Sequence, residues 1–275
     1  MNLTNLSAIR EIADKFGFTF SKSLGQNFLI NPSVCPRIAE MGGADENTGV
    51  IEIGAGFGVL TQELAKRAKK VVAVELDSRL IPVLQYTLAD YDNVKVINED
   101  VLKVDLPKLI AEEFPGMEVV VCANLPYYIT SPIIMALLEQ RLPIKAVTVM
   151  VQKEAGDRLC APMPSRGCGA VTAAVRYYSE PKVLFPVSRG SFCPAPNVDS
   201  MVIRLDVKDA LPLEPEEEKK LFRVVKAAFG QRRKTLPNTL SAGLGVSKAE
   251  AAGLKPTARA EELSMEQFCR LAKEF

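Results

Sequence analysis

The chain has 275 residues, 48% of them hydrophobic and 24% charged, with a formal net charge of +1. This is the composition of an ordinary soluble globular protein, long enough for one domain of about 200 residues plus a small one. No run approaches the ~20 apolar residues of a membrane span, and near-neutrality gives no global sign of nucleic-acid binding. Histidine is absent, and the six cysteines at 35, 122, 160, 168, 193 and 269 form no C-x-x-C pair. A Ser-His-Asp hydrolase is therefore excluded, and a zinc site is not expected. Arg10, Glu11, Asp14 and Lys15 interrupt the N-terminus before any secretory pattern develops, so a cytoplasmic location is expected.

Residues 3–16 read as a short amphipathic helix and 17–31 as a loop mixing Gly, Ser and aromatics. Pro32 fits a helix start with Asn31 as its cap, the helix running to about residue 41. Strands at 50–53, 71–74, 94–97, 119–122 and 146–151 then alternate with helices at 61–68, 79–89 and 131–139, Pro82 being tolerable in a first turn. Short Val- and Ile-rich runs of this kind are parallel strands covered on both faces, so the pattern predicts a doubly wound α/β domain. Two further strands are read at 171–177 and 200–205. The segment between them lacks a long helical pattern and holds Pro181, Pro186, Pro194 and Pro196, which suggests an antiparallel final pair. Residues 206–215 look like a linker. From Glu216 onward the pattern is helical, broken at Pro237, Gly243, Gly245, Gly253 and Pro256. The expected domains are 1–207 and a small all-α domain at 208–275.

Chemistry-bearing residues gather at strand ends. Gly54, Gly56 and Gly58 follow the first strand and precede a helix, allowing a tight turn and close ligand approach at a helix N-terminus. The dinucleotide fingerprint G-x-G-x-x-G fails, because its last position is Val59. Glu75 ends the second strand, where an acid can hold ribose hydroxyls. Asp100 follows the third, placed to accept from an adenine amino group. Glu52 can orient the glycine turn or meet a cationic ligand end. Cys122 lies inside the fourth strand as a small buried hydrophobe. After that strand, Asn124-Leu125-Pro126-Tyr127 supplies an amide, carbonyls restrained by proline and an aromatic ring, the parts needed to hold a flat amino-bearing ring. Together these residues describe an adenosine pocket with Asn124 at its reactive end.

The chain resembles the S-adenosylmethionine-dependent methyltransferases, and more narrowly the ribosomal RNA adenine dimethyltransferase family. The resembling segments are Gln26-Asn27-Phe28-Leu29, EIGAGFGVLT at 52–61, VAVELD at 72–77, Glu99-Asp100, NLPY at 124–127, VQKEAGDRL at 151–159, FCPAPNVDSMV at 192–202, AFGQRRKTLPN at 228–238 and RAEEL at 259–263. The resemblance implies a Rossmann-like class I methyltransferase domain, its seven-stranded sheet mainly parallel with an antiparallel last strand. It implies that Asn27 and Leu29 close over the methionine portion of S-adenosyl-L-methionine, that Gly54 contacts the same region, that Glu75 holds the ribose and that Asp100 holds the adenine. Asn124 then sits between cofactor and substrate, with Tyr127 and Phe192 on the two faces of the target base. Tyr128 is expected to pack behind Tyr127, and Phe192 to lie in a rigid loop rather than a core strand.

The implied reaction is dimethylation of N6 on two adjacent adenines near the 3′ end of small-subunit (16S) ribosomal RNA. The implied partner is an immature small ribosomal subunit, with no metal and no membrane, and a monomer is expected. Lys219, Lys220, Arg223, Lys226, Arg232, Arg233 and Lys234 form an acid-free basic stretch suited to phosphates, with Lys153, Arg158 and Arg166 as further contacts. Three alternatives stand beside this reading. One is the related class that dimethylates large-subunit RNA and confers macrolide resistance, and another is a DNA adenine methyltransferase. The third is a non-catalytic ribosome-assembly factor.

Overall fold

A computed structural model describes residues 2–19, 27–231, 234–236, 252–255 and 257–274. Arg232 and Arg233 lie outside the described residues, as does Gln26. The chain divides into two compact units, Met1–Gly156 with Lys182–Val207, and Asp157–Pro181 with Lys208–Phe275. Residues 157–181 thus group with the C-terminal residues, whereas the sequence suggested a single boundary after 207.

The strands are β1 (Phe28–Leu29), β2 (Thr48–Ile53), β3 (Lys70–Glu75), β4 (Val94–Asn98), β5 (Glu118–Asn124), β6 (Ala146–Gln152), β7 (Ser179–Val187), β8 (Phe192–Cys193) and β9 (Ser200–Val207). Seven of them form one sheet in the order β4-β3-β2-β5-β6-β9-β7, and β1 and β8 form a separate two-stranded ladder. β2 to β6 are parallel, and β9 runs antiparallel to β6. All six residues of β2 are buried, as expected for a central strand covered on both faces. β2 pairs on one side with β3 (Val50 with Val71) and on the other with β5 (Val50 with Val120). Strand order therefore reverses at β2, and the loops leaving β2 and β5 part to open a crevice at their C-terminal ends.

The first unit's helices are α1 (Leu6–Lys15), α2 (Val34–Met41), α3 (Val59–Ala65), α4 (Ile81–Thr87), α5 (Leu106–Glu113), α6 (Thr130–Glu139) and the start of α7 (Lys153–Leu159). Asn5 caps α1 by accepting from the Ser7 N–H at 2.8 Å. No element was expected at 106–113, yet Asp105 accepts from Lys108 N–H at 3.1 Å and Pro107 follows in the first turn, a legible helix start. Asn31 does not cap α2, which begins two residues later than expected. Its Oδ1 instead accepts from the Ser33 N–H and hydroxyl, and its Nδ2 donates to the Ser191 hydroxyl at 3.1 Å.

The strand read at 171–177 is in fact helical, α8 (Ala170–Tyr178). Its Val and Tyr residues suit a strand, but Thr172, Ala173, Ala174, Val175, Tyr177 and Tyr178 bury the helix on nearly all sides. The missing strand is β7, which contains Pro181 and Pro186. It lies at the sheet edge, where a residue without an N–H is tolerated. The sheet therefore has seven strands with an antiparallel β9, although one of them is not where the sequence pattern put it.

In the second unit α8 accompanies α9 (Pro215–Gly230) and α10 (Met265–Lys273). The Tyr177 and Tyr178 hydroxyls both donate to the Glu218 carboxylate, at 3.0 and 2.8 Å. Phe222 stacks on Tyr178 with ring centroids 5.5 Å apart. Ser264 and Gln267 close a reciprocal capping box at the start of α10. No described helix is long and apolar enough to cross a membrane.

Candidate active site

Three glycines shape the floor of the crevice. Gly54, Gly56 and Gly58 have φ of +77°, +59° and +88°, in the left-handed region that side chains disfavour. Space adds a second constraint at Gly58, where a Cβ would lie 3.1 Å from Leu88 and 3.2 Å from the Thr87 hydroxyl. Gly54 differs, because the nearest atom to such a Cβ is the Asn124 carbonyl oxygen at 3.8 Å. The first turn residue therefore lies open beside the end of β5. Below the turn, Phe57 packs edge-on against Phe28 and Phe18, with centroids 4.6 and 5.4 Å apart. The N-terminal segment is thereby fixed to the glycine turn.

Glu75 is 6% exposed at the end of β3. One carboxylate oxygen accepts from Gly56 N–H at 2.9 Å and the other from Asp77 N–H at 2.8 Å. Burial raises its pKa, the two backbone N–H groups lower it in part, and Asp77 repels the charge. Asp100 follows β4 and accepts from Leu102 N–H at 3.1 Å, which orients its side chain.

Glu52 is 1% exposed within β2, and its Oε2 has no hydrogen-bond partner. Burial pushes its pKa up to about 8, with repulsion from Glu75 adding to the rise. The Thr61 hydroxyl near it offsets this only in part, since no well-formed hydrogen bond joins the two. Cys122 is fully buried, as expected, and burial raises its thiol pKa to about 12.

Asn124 ends β5 opposite Met150 of β6, and Leu125 N–H continues the ladder to the Met150 carbonyl at 3.3 Å. Pro126 then starts a 3-10 turn, Tyr127–Ile129, with its carbonyl accepting from Ile129 N–H and the Thr130 hydroxyl. The Tyr127 hydroxyl shares a 2.7 Å hydrogen bond with Ser200 at the start of β9. Tyr128 does not pack behind Tyr127; it is 59% exposed at the rim of the cavity that the site residues line, because a three-residue turn offers no interior for a second ring. Phe192 is not in a loop. It is 4% exposed and forms β8, opposite Leu29.

All ten residues expected at the site line one cavity of about 160 Å³: Asn27, Leu29, Gly54, Glu75, Asp100, Asn124, Leu125, Pro126, Tyr127 and Phe192. Leu76, Asp77 and Val101 also line it, and sequence reasoning passed over them. Leu76 is a large apolar residue left 54% exposed immediately after a core strand, a signal that the structure carries and the sequence does not. Lys153, Arg158 and Arg166 are exposed, as are Lys219, Arg223 and Lys226 on α9. Among the described residues no group of three or more acidic or thiol side chains is placed to hold a metal ion.

A mixed seven-stranded sheet of this order, with a small helical domain, is the Rossmann-like class I methyltransferase fold. The chain matches the family of ribosomal RNA adenine dimethylases over residues 17–275. It is 50% identical over 273 residues to a ribosomal RNA small subunit methyltransferase A of Geobacillus thermodenitrificans, covering 96% of this chain and 93% of that one. To the protein of the same description in Alkaliphilus oremlandii it is 49% identical over 270 residues, covering 96% and 94%. Among solved structures, a dimethyladenosine transferase from Plasmodium falciparum superposes with a TM-score of 0.76 at 26% identity, covering 89% of this chain and 95% of that one. The 23S rRNA methyltransferase ErmE gives 0.72 at 27%, covering 90% and 99%. The chain belongs to the ribosomal RNA adenine dimethylase family.

Proposed function

We propose that this protein dimethylates N6 of two adjacent adenines near the 3′ end of 16S ribosomal RNA, using S-adenosyl-L-methionine, within an immature small subunit. It acts as a cytoplasmic monomer in small-subunit maturation. The observation that carries this reading is the convergence of ten residues from both ends of the first unit on one cavity. Identity near one half with small-subunit methyltransferases, against 27% with a 23S enzyme, favours the small-subunit branch.

The cavity fits the cofactor. Gly54 leaves room beside Asn124, and Glu75 is pre-oriented by two backbone N–H groups yet keeps lone pairs for ribose hydroxyls. Asp100 accepts from the cofactor's adenine amino group, with Leu76 and Val101 as apolar walls. Asn27 and Leu29 cover the methionine portion. When bound, S-adenosylmethionine supplies a methyl group on a positively charged sulfur.

The protein's part is position and electrostatics. An adenine N6 is a poor nucleophile because its lone pair is delocalised into the ring. The Asn124 side-chain oxygen and the Leu125 carbonyl accept from N6–H, favour a more tetrahedral nitrogen and turn its lone pair toward the methyl. Tyr127 and Phe192 hold the two faces of the base, which must leave its stack to enter. The proton departs after methylation, when the amine is more acidic, so a histidine-free site is no obstacle. Lys153, Arg158, Arg166 and the basic face of α9 meet phosphates.

The test is to incubate the protein with methyl-labelled cofactor and unmodified small subunits, large subunits or DNA, and to map the product. Label is expected as N6,N6-dimethyladenine in small-subunit RNA. Label confined to large-subunit RNA or DNA overturns the substrate assignment. Failure to bind cofactor at near-millimolar concentration leaves only a non-catalytic assembly role.

A further inference from the structure

The motif around 192–200 contributes more than Phe192. The 3-10 turn Tyr127–Ile129 contains no fully buried residue and Tyr127 is half-buried, so packing alone holds its ring less firmly than a core side chain. A hydrogen bond adds a second restraint, because the ring's hydroxyl meets Ser200 Oγ at 2.7 Å. Ser200 is itself fully buried and registered opposite Gln152 of β6, so the anchor is rigid. The preceding residue, Asp199, is held by its carbonyl, which accepts from Lys153 N–H at 2.9 Å. Its carboxylate accepts from Arg189 N–H, also at 2.9 Å, at the start of the turn Arg189–Ser191. That turn delivers Phe192 into β8. Ser200 at the start of β9 thus holds the Tyr127 ring directly, and Asp199 just before it holds the turn that leads into Phe192.

We propose that Asp199 and Ser200 are positioning residues that set the gap between Tyr127 and Phe192, and so the fit of the site to one flat base. This rests on the adenine-methylating reading above. Neither residue touches the reacting atoms. A rotated Tyr127 ring or a displaced Phe192 widens the slot, and an unstacked base then binds with less orientation.

The experiment uses the full-length protein with small subunits as substrate, measuring kcat, KM, cofactor affinity and thermal stability. Tyr127→Phe keeps the ring and removes only the hydroxyl, and Ser200→Ala removes the other partner. Each is expected to lower kcat/KM by about three- to tenfold, the size of one net hydrogen bond, with cofactor Kd unchanged. The double variant is expected to be no worse than the worse single one, because both remove the same interaction. Ser200→Thr keeps a hydroxyl and is expected to restore activity. Asp199→Asn keeps an acceptor oxygen for Arg189 N–H and is expected to stay near wild type, whereas Asp199→Ala falls.

Additive losses in the double variant overturn the proposal. So does reduced thermal stability with kcat/KM unchanged. A substrate-free reading is the 13C resonance of the Tyr127 ring, expected to shift and broaden in Ser200→Ala; an unchanged signal also overturns it. Wild-type protein that fails to label small subunits refutes the functional reading instead, which separates the two failures.

Discussion

Asn124 is half-buried at the end of β5 and Glu75 almost fully buried at the end of β3, and the roles proposed for them predict different variants. Asn124→Ala removes the acceptor proposed for the reacting nitrogen. It should cut kcat about 100-fold or more while leaving cofactor Kd within about threefold, as read by single-turnover labelling and calorimetry. Glu75→Ala should do the reverse and raise cofactor Kd by at least about tenfold, because it also frees Gly56 N–H and loosens the glycine turn. Glu52 has a different consequence. Its folded pKa of about 8 lies above its ordinary value of 4.5, so between those limits the folded state binds more protons than the unfolded one. Its contribution to stability is complete below 4.5 and is lost as pH rises through about 8. Glu52→Gln should therefore be more stable relative to wild type at pH 8.5 than at pH 5, by on the order of a few kcal/mol. Urea denaturation at the two pH values checks this, and an unchanged pH slope would refute it. Glu75 shifts in the same direction and repels Glu52, so the comparison reads the pair. At this scale the glycines, Glu75, Asp100 and Asn124 were legible because each sits at a strand end, where spacing reveals it. Ser200 was not, since its bond to Tyr127 spans 73 residues and leaves no local pattern.

Elements were legible where hydrophobic runs were short and parallel, as in β2, β3 and β5. They failed where one residue type serves two structures. The Val and Tyr of α8 mimic a strand, and the prolines of β7 mimic a loop. Edge position resolves the second case, and it is a property of the sheet, invisible along the chain. A buried glycine in β2 gives an element-level prediction. A Cβ on Gly49 would overlap the Phe114 ring that packs on this strand. Gly49→Ala should destabilise the first unit by about 1–3 kcal/mol, measured as a lower urea midpoint. An unchanged midpoint would mean that the Phe114 ring can withdraw without loss.

The molecule as a whole is nearly neutral, yet α9 buries Leu221, Val224, Val225 and Ala228 on one side and exposes Lys219, Arg223 and Lys226. Lys219 is paired with Glu216 at 2.6 Å, so Arg223 and Lys226 are the better tests of phosphate contact. Replacing both by alanine should raise KM for small subunits several-fold and flatten the slope of log affinity against log salt by about two. An unchanged slope would remove this face from the interface. Net charge could not have revealed such a face, whereas its clustering along one helix could. The β1–β8 ladder has a consequence at this same scale. It ties Leu29, proposed to cover the cofactor, to Phe192, proposed to face the substrate base. A ligand that stills one of the paired strands lowers the entropy lost in stilling the other. Cofactor and RNA should then assist each other's binding, and by thermodynamic reciprocity each must raise the other's affinity by the same factor.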